Sequence, residues 1–211
     1  MRHHTLKIGF VAAAAALAVV TTACSTSTVG GTPAPTSGVS SDGKLPSGAP
    51  HVANPLDTTR AQAAPCSVLT PAQISSLGIV ATGKPDNSAT GPDCSWDDTS
   101  AVPTPVSIGS GLVTTSKGGL SSLYVQGDSL KRNGGYFEPI DPVQGFPAVL
   151  YSQYDDRQAK TNASCGLAVG VSDTLQFTVG VTVTSLSPKN EPCAIAKKVA
   201  DMEITTIKAG S

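Results

Sequence analysis

The chain has 211 residues, a formal net charge of −1 and 14% charged residues. It carries no basic or acidic block beyond its opening residues, which argues against nucleic acid, or a polybasic contact with anionic lipid, as its main partner. After residue 23 no segment reaches 18 consecutive apolar residues, so no later part of the chain is expected to be integral to a membrane.

Residues 1–23 have the three parts of a secretory signal. Arg2 and Lys7 supply the positive start, Ile8 to Val20 form an apolar run, and Thr21-Thr22-Ala23 places small residues before a cut. The run rises only about 20 Å as helix, short of a bilayer core of about 30 Å. Cys24 then stands where a bacterial lipobox places its acylated cysteine, although Thr21 occupies a position usually held by Leu or Val. Assigning Cys24 to a diacylglyceryl group leaves four cysteines, an even number. A lipid-anchored protein on the outer face of the cell membrane is therefore expected, since two acyl chains hold stably where one does not.

Residues 24–64 are Ser, Thr, Pro, Gly and Ala with few large apolar side chains. Such a stretch buries too little to offset its ordering entropy, which predicts a disordered tether averaging roughly 35 Å end to end. Residues 65–211 then have the length of one domain.

Within that domain, Thr70-Pro71-Ala72-Gln73 predicts a capped helix start, and Gly78 its end. Strands are expected at Cys94–Asp97, Val106–Leu112, Tyr136–Ile140 and Phe146–Tyr151, with a helix over Gly119–Leu130. The clearest alternation is Leu175 to Thr184, matched by Cys165 to Val171. Joined by Ser172-Asp173-Thr174, these predict a hairpin pairing Val171 with Leu175 and Cys165 with Val181. A last helix is expected from Glu191 to Lys208, with Ile195, Val199 and Met202 inward. The fold class is α+β: an antiparallel sheet with helices on its apolar face.

Four cysteines in an exported domain imply two bridges with three possible pairings. Cys165 begins the hairpin on its apolar face and Cys193 starts the helix that should cover that face, so these two close naturally. Cys66 and Cys94 remain as the second pair. Each bridge is worth roughly 3.5 kcal/mol on the chain-entropy account. A metal site is disfavoured by the long spacings and by the lack of histidine after His51.

That lack also argues against Ser–His or Cys–His catalysis, and no nucleophile elbow, phosphate loop or dinucleotide fingerprint is present. No catalytic residue and no cofactor is assigned. A histidine-free hydrolase would need two carboxylates to converge from among Asp97, Asp98, Glu138, Asp141, Asp155 and Asp156, which otherwise read as solvated turn residues. Trp96 is expected in the core near Cys94, with a ligand platform as the alternative. Gly166, Ala168 and Gly170 share a face with Thr178, Gly180 and Thr182, a flat surface that serves either as plain solvent face or as an approach for a partner.

Pro65-Cys66-Ser67-Val68-Leu69-Thr70, Cys94-Ser95-Trp96, Phe146-Pro147-Ala148-Val149, Cys165 before a strand and Glu191-Pro192-Cys193 together resemble the actinobacterial lipoproteins grouped as domain of unknown function 3558. The resemblance implies a lipobox, two bridges and an extracytoplasmic location, and no substrate. The expected function is a binding or accessory module of the cell envelope, held to the membrane by its lipid. Its partner would be a small-molecule or lipid ligand, or an envelope protein. A carboxylate hydrolase and a purely structural interaction module are the alternatives.

Overall fold

The two stretches with the cleanest alternation pair beside each other at the middle of a seven-stranded sheet. The computed structural model describes residues 45–98, 106–187 and 191–210. Its strands are β1 (Lys84–Ser88), β2 (Gly91–Asp98), β3 (Val106–Val113), β4 (Tyr136–Val143), β5 (Phe146–Ser152), β6 (Thr161–Ser172) and β7 (Leu175–Ser185). They lie in the order β1-β2-β3-β7-β6-β5-β4, and every neighbouring pair is antiparallel. Cys165 opposes Val181 as expected. Near the loop the ladder slips between Gly170 and Ser172, so Ser172 rather than Val171 pairs with Leu175. The bulge tightens the connection to Asp173-Thr174, and the Asp173 carboxylate is engaged by residues 51 and 52.

The helices among the described residues are α1 (Thr59–Ala63), α2 (Pro71–Ser76), α3 (Ser121–Tyr124), α4 (Gly127–Arg132) and α5 (Pro192–Gly210), with a 3-10 turn at Pro65–Val68. In α2 the capping box forms in full. Thr70 Oγ1 accepts from Gln73 N at 3.2 Å, and Gln73 Oε1 accepts from Thr70 N at 2.6 Å. The single helix expected over Gly119–Leu130 is broken into α3 and α4. Gly127, just past the break, lies against the Phe137 ring, where a Cβ would come within 2.7 Å.

Glu191 caps α5, its carboxylate accepting from the backbone N–H of Cys193 and Ala194. The buried stripe of α5 is Ala196, Val199, Ala200, Glu203, Ile204 and Ile207. Of the residues expected inward, Val199 is buried while Ile195 and Met202 are half-buried flanks. Two alanines on the stripe let the helix axis approach the sheet, and the larger side chains move to the margins.

Alternation sorts the sheet into two faces. One carries Ile108, Leu112, Leu167, Val169, Phe177, Val179, Val181 and Val183 and is covered by α5. The opposite face, over β4 to β6, carries Phe137, Val149 and Ala168 under Leu120 and Leu123 of the crossover that leads from β3 to β4. The α+β class holds, and this second, smaller layer adds to the single covered face that was expected. The bridges are Cys66–Cys94 and Cys165–Cys193, with Cα–Cα separations of 5.0 and 5.1 Å.

The expected tether ends too late. From residue 45 the chain lies on the domain: Ala49 and Val52 are buried, the first among Leu120, Leu123 and Ala168 and the second in the main core. Val52 N donates to Asp173 Oδ1 at 2.9 Å, His51 Nδ1 lies 2.7 Å from Asp173 Oδ2, and Leu56 N donates to Val171 O. The segment is ordered by satisfied backbone groups and two small buried residues, which composition alone does not reveal. Residues 24–44, and Cys24 itself, lie outside the described residues.

Candidate functional site

The six carboxylates named from the sequence divide by strand position. Asp98 is buried and accepts from Val80 N at 2.8 Å; Asp97 is exposed and accepts from Ser107 Oγ. Asp156 accepts from Ser164 Oγ at 2.7 Å, and Asp141 is exposed on β4. Only Glu138 and Asp155 are drawn together, because Arg157 bonds both, at 2.9 and 2.7 Å, while its guanidinium lies 3.8 Å from the centre of the Tyr136 ring. The hydrogen bonds from Arg157 hold the Asp155 carboxyl below its usual range and push the guanidinium further up. The pair is thus bridged by a cation between its members.

Trp96 is 2% exposed and packs in the main core, with its neighbour Cys94 bridged to Cys66. The flat face is only partly open. Ala168 is buried, and a Cβ on Gly170 would meet Leu120 at 3.1 Å. Gly180, in contrast, is exposed with nothing within 4 Å of a Cβ.

The feature that the sequence did not suggest lies under α5. Glu203 is 1% exposed on an otherwise aliphatic stripe and shares a cleft with Ser110 and Leu112 of β3 and Phe177 of β7. Its Oε2 accepts from Ser110 Oγ at 2.9 Å, and its Oε1 has no partner among the described residues. Removal from water disfavours the charged form and pushes the carboxyl up to about 8, with the Ser110 hydrogen bond opposing the rise. Glu203 is therefore a neutral acid at pH 7. Its signal was present in the spacing, since residue 203 falls four and three positions after Val199 and Ala200. Gln176 Oε1, on the opposite face of β7, is likewise buried without a partner.

Beside this acid the fold leaves a groove of about 450 Å³ between α1, the 3-10 turn and the end of α5. Its walls include Ala61, Ala63, Val68, Ile207 and Ala209, and its rim carries Asp57 and Arg60. Hydrogen bonds from the side chain and backbone of Thr59 hold the Asp57 carboxyl below its usual range. A narrow cleft of about 10 Å³, room for one water-sized group, lies next to the groove and is lined by Ser110, Leu112, Phe177 and Glu203. Ala61, Val68 and Ile207 line both spaces. The result is an aliphatic groove with a mixed-charge rim, and beside it a narrow cleft lined by a buried acid. A second depression of about 470 Å³ between α2, residues 79–83 and Trp96 is lined without any ionisable side chain.

Among the described residues no group of His, Cys, Asp and Glu is arranged to hold a metal ion, and no helix is long and apolar enough to cross a membrane. A family model described as "Protein of unknown function (DUF3558)" matches residues 19–206. No curated protein and no solved structure matches the chain.

Proposed function

The chain belongs to the DUF3558 family, and from that premise we propose that it is a lipid-anchored, extracytoplasmic binding module of the cell envelope rather than an enzyme. The groove between α1, the 3-10 turn and α5 carries this reading. It combines a volume suited to a small ligand with aliphatic walls and few, placed polar groups. The anchor is supported by the signal that ends at Cys24 and by the even set of cysteines left after it. An oxidising compartment agrees with the two bridges. The resemblance to actinobacterial lipoproteins supports the lipobox, the two bridges and the extracytoplasmic location, and the ligand is read from the groove alone.

Two measurements test it. Mass spectrometry of protein from the membrane fraction should show Cys24 as an acylated N-terminal residue; an unmodified Cys24 there refutes the anchor. Native mass spectrometry of the full chain released gently from the envelope should show a small molecule that Ala63→Trp, which fills the groove, displaces. A ligand retained unchanged by that variant would place binding elsewhere.

A further inference from the structure

The groove's ligand class follows from the narrow cleft beside it, with which it shares Ala61, Val68 and Ile207, and this inference rests on the binding reading above. We infer that the groove takes a short aliphatic primary amine, its ammonium seated in the narrow cleft against Glu203 Oε1 and its chain lying along Ala61, Val68 and Ile207. Three observations converge. The cleft admits a group the size of one water, which fits an ammonium or hydroxyl and is too small for a carboxylate or phosphate. Glu203 lines the cleft, and its Oε1 is buried and without a partner among the described residues, while Oε2 is held by Ser110. The walls shared by cleft and groove are aliphatic, so the remainder of the ligand is hydrocarbon.

The lack of a counter-charge selects the ammonium over the hydroxyl, because only the ammonium supplies the cation that lets the buried carboxyl ionise. No cation pairs with Glu203 among the described residues, and the surroundings offer none from behind. β3 and β7 carry no titratable side chain, the 3-10 turn carries only the bridged Cys66, and β6 only the bridged Cys165. β2 contributes Asp93, Asp97 and Asp98, and α1 contributes Arg60, opposed at the rim by Asp57. On α5 itself the charged neighbours Lys197, Lys198, Asp201 and Lys208 are exposed. Binding then takes the proton from the Glu203 carboxyl to solvent while the ammonium keeps its own three protons, and an ion pair forms where a neutral acid stood.

The test uses the full chain in nanodiscs of zwitterionic lipid, with n-butylamine as probe and butan-1-ol and butyrate as comparisons. Butylamine should produce saturable NMR shifts at the methyls of Val68, Ile204 and Ile207. Its affinity should rise roughly tenfold or more from pH 6.5 to pH 9, as Glu203 becomes ionised without it. At pH 6.5 calorimetry in buffers of different ionisation heat should show about one proton released. Glu203→Gln should abolish the proton release and weaken butylamine at least tenfold at pH 9, whereas Ser110→Ala, which keeps the acid, should retain the release. Butyrate or butanol binding as tightly as butylamine overturns the ligand class and leaves the groove reading standing. If no probe binds and a single trapped water is found at Glu203, the inference fails; if Ala63→Trp also leaves the native ligand in place, the groove reading fails with it.

Discussion

Glu203 is the side chain whose presence is hardest to account for by packing, since a leucine or methionine of similar length would suit the stripe on which it lies. Its acid group is neutral in the fold and ionised in the unfolded chain at neutral pH. From the ordinary value of 4.5 up to about 8 the folded state holds a proton that the unfolded state has lost. Its contribution to stability is thus fully present below 4.5, falls as pH rises through that window, and is flat above it. Glu203→Gln removes this slope and should stabilise the protein at pH 7 by roughly 2–3 kcal/mol. Denaturant unfolding of the two proteins at pH 4, 7 and 9 checks this: their difference should be small at pH 4 and reach most of its size by pH 7. A constant difference across that range would contradict it. Sequence patterning hid this residue because a charged side chain is assigned to solvent by default, even when its spacing places it inward.

At the scale of elements, Gln73 does two jobs. It closes the α2 capping box with Thr70, and its Nε2 donates to Met202 O at 3.1 Å and Thr206 Oγ1 at 3.0 Å on α5. Thr70→Ala, losing the cap alone, should cost about 1 kcal/mol, and Gln73→Ala should cost more because it also unpins α2 from α5. Thermal unfolding of both variants reads the order, and equal losses would mean that the α5 contacts contribute nothing. How far each element was legible follows the same physics. β6 and β7 bury one whole face in strict alternation, so their pairing and even the Cys165–Val181 register could be read. β1 could not: its residues Lys84-Pro85-Asp86-Asn87 are all exposed at the sheet edge, and nothing alternates. The α5 stripe was misplaced toward Ile195 and Met202 because large residues draw attention, while the helix actually docks through Ala196 and Ala200. The groove was invisible for a related reason. α1 is five residues with a single buried alanine, too short for periodicity to register, and it lies in a stretch whose composition reads as disorder.

Over the whole molecule, each bridge fastens a helix or turn to a strand: Cys66 of the 3-10 turn to Cys94 of β2, and Cys193 of α5 to Cys165 of β6. Replacing either pair by alanine should lower stability by roughly 3 kcal/mol, for loops of 28 residues each, and unfolding in denaturant with and without reductant measures it. The segment from residue 45 to α1 is fastened differently, by Asp173 at the tip of the β6–β7 hairpin and by the burial of Ala49 and Val52. Asp173→Ala should speed amide exchange and proteolysis over residues 45–57 while the sheet stays protected. Equal loosening of β6 and β7 would show that the segment is part of the same cooperative unit. Under mechanical load the arrangement acts as a fuse. A pull applied at the N-terminal end meets a few hydrogen bonds and the buried Ala49, Val52, Thr58 and Ala61 first, and only then the covalent stop at Cys66. Peeling residues 45–65 would pay out roughly 70 Å of slack without breaking the sheet. Stretching a single molecule between an N-terminal handle and residue 210 should therefore show a short, low-force, reversible step before the main rupture.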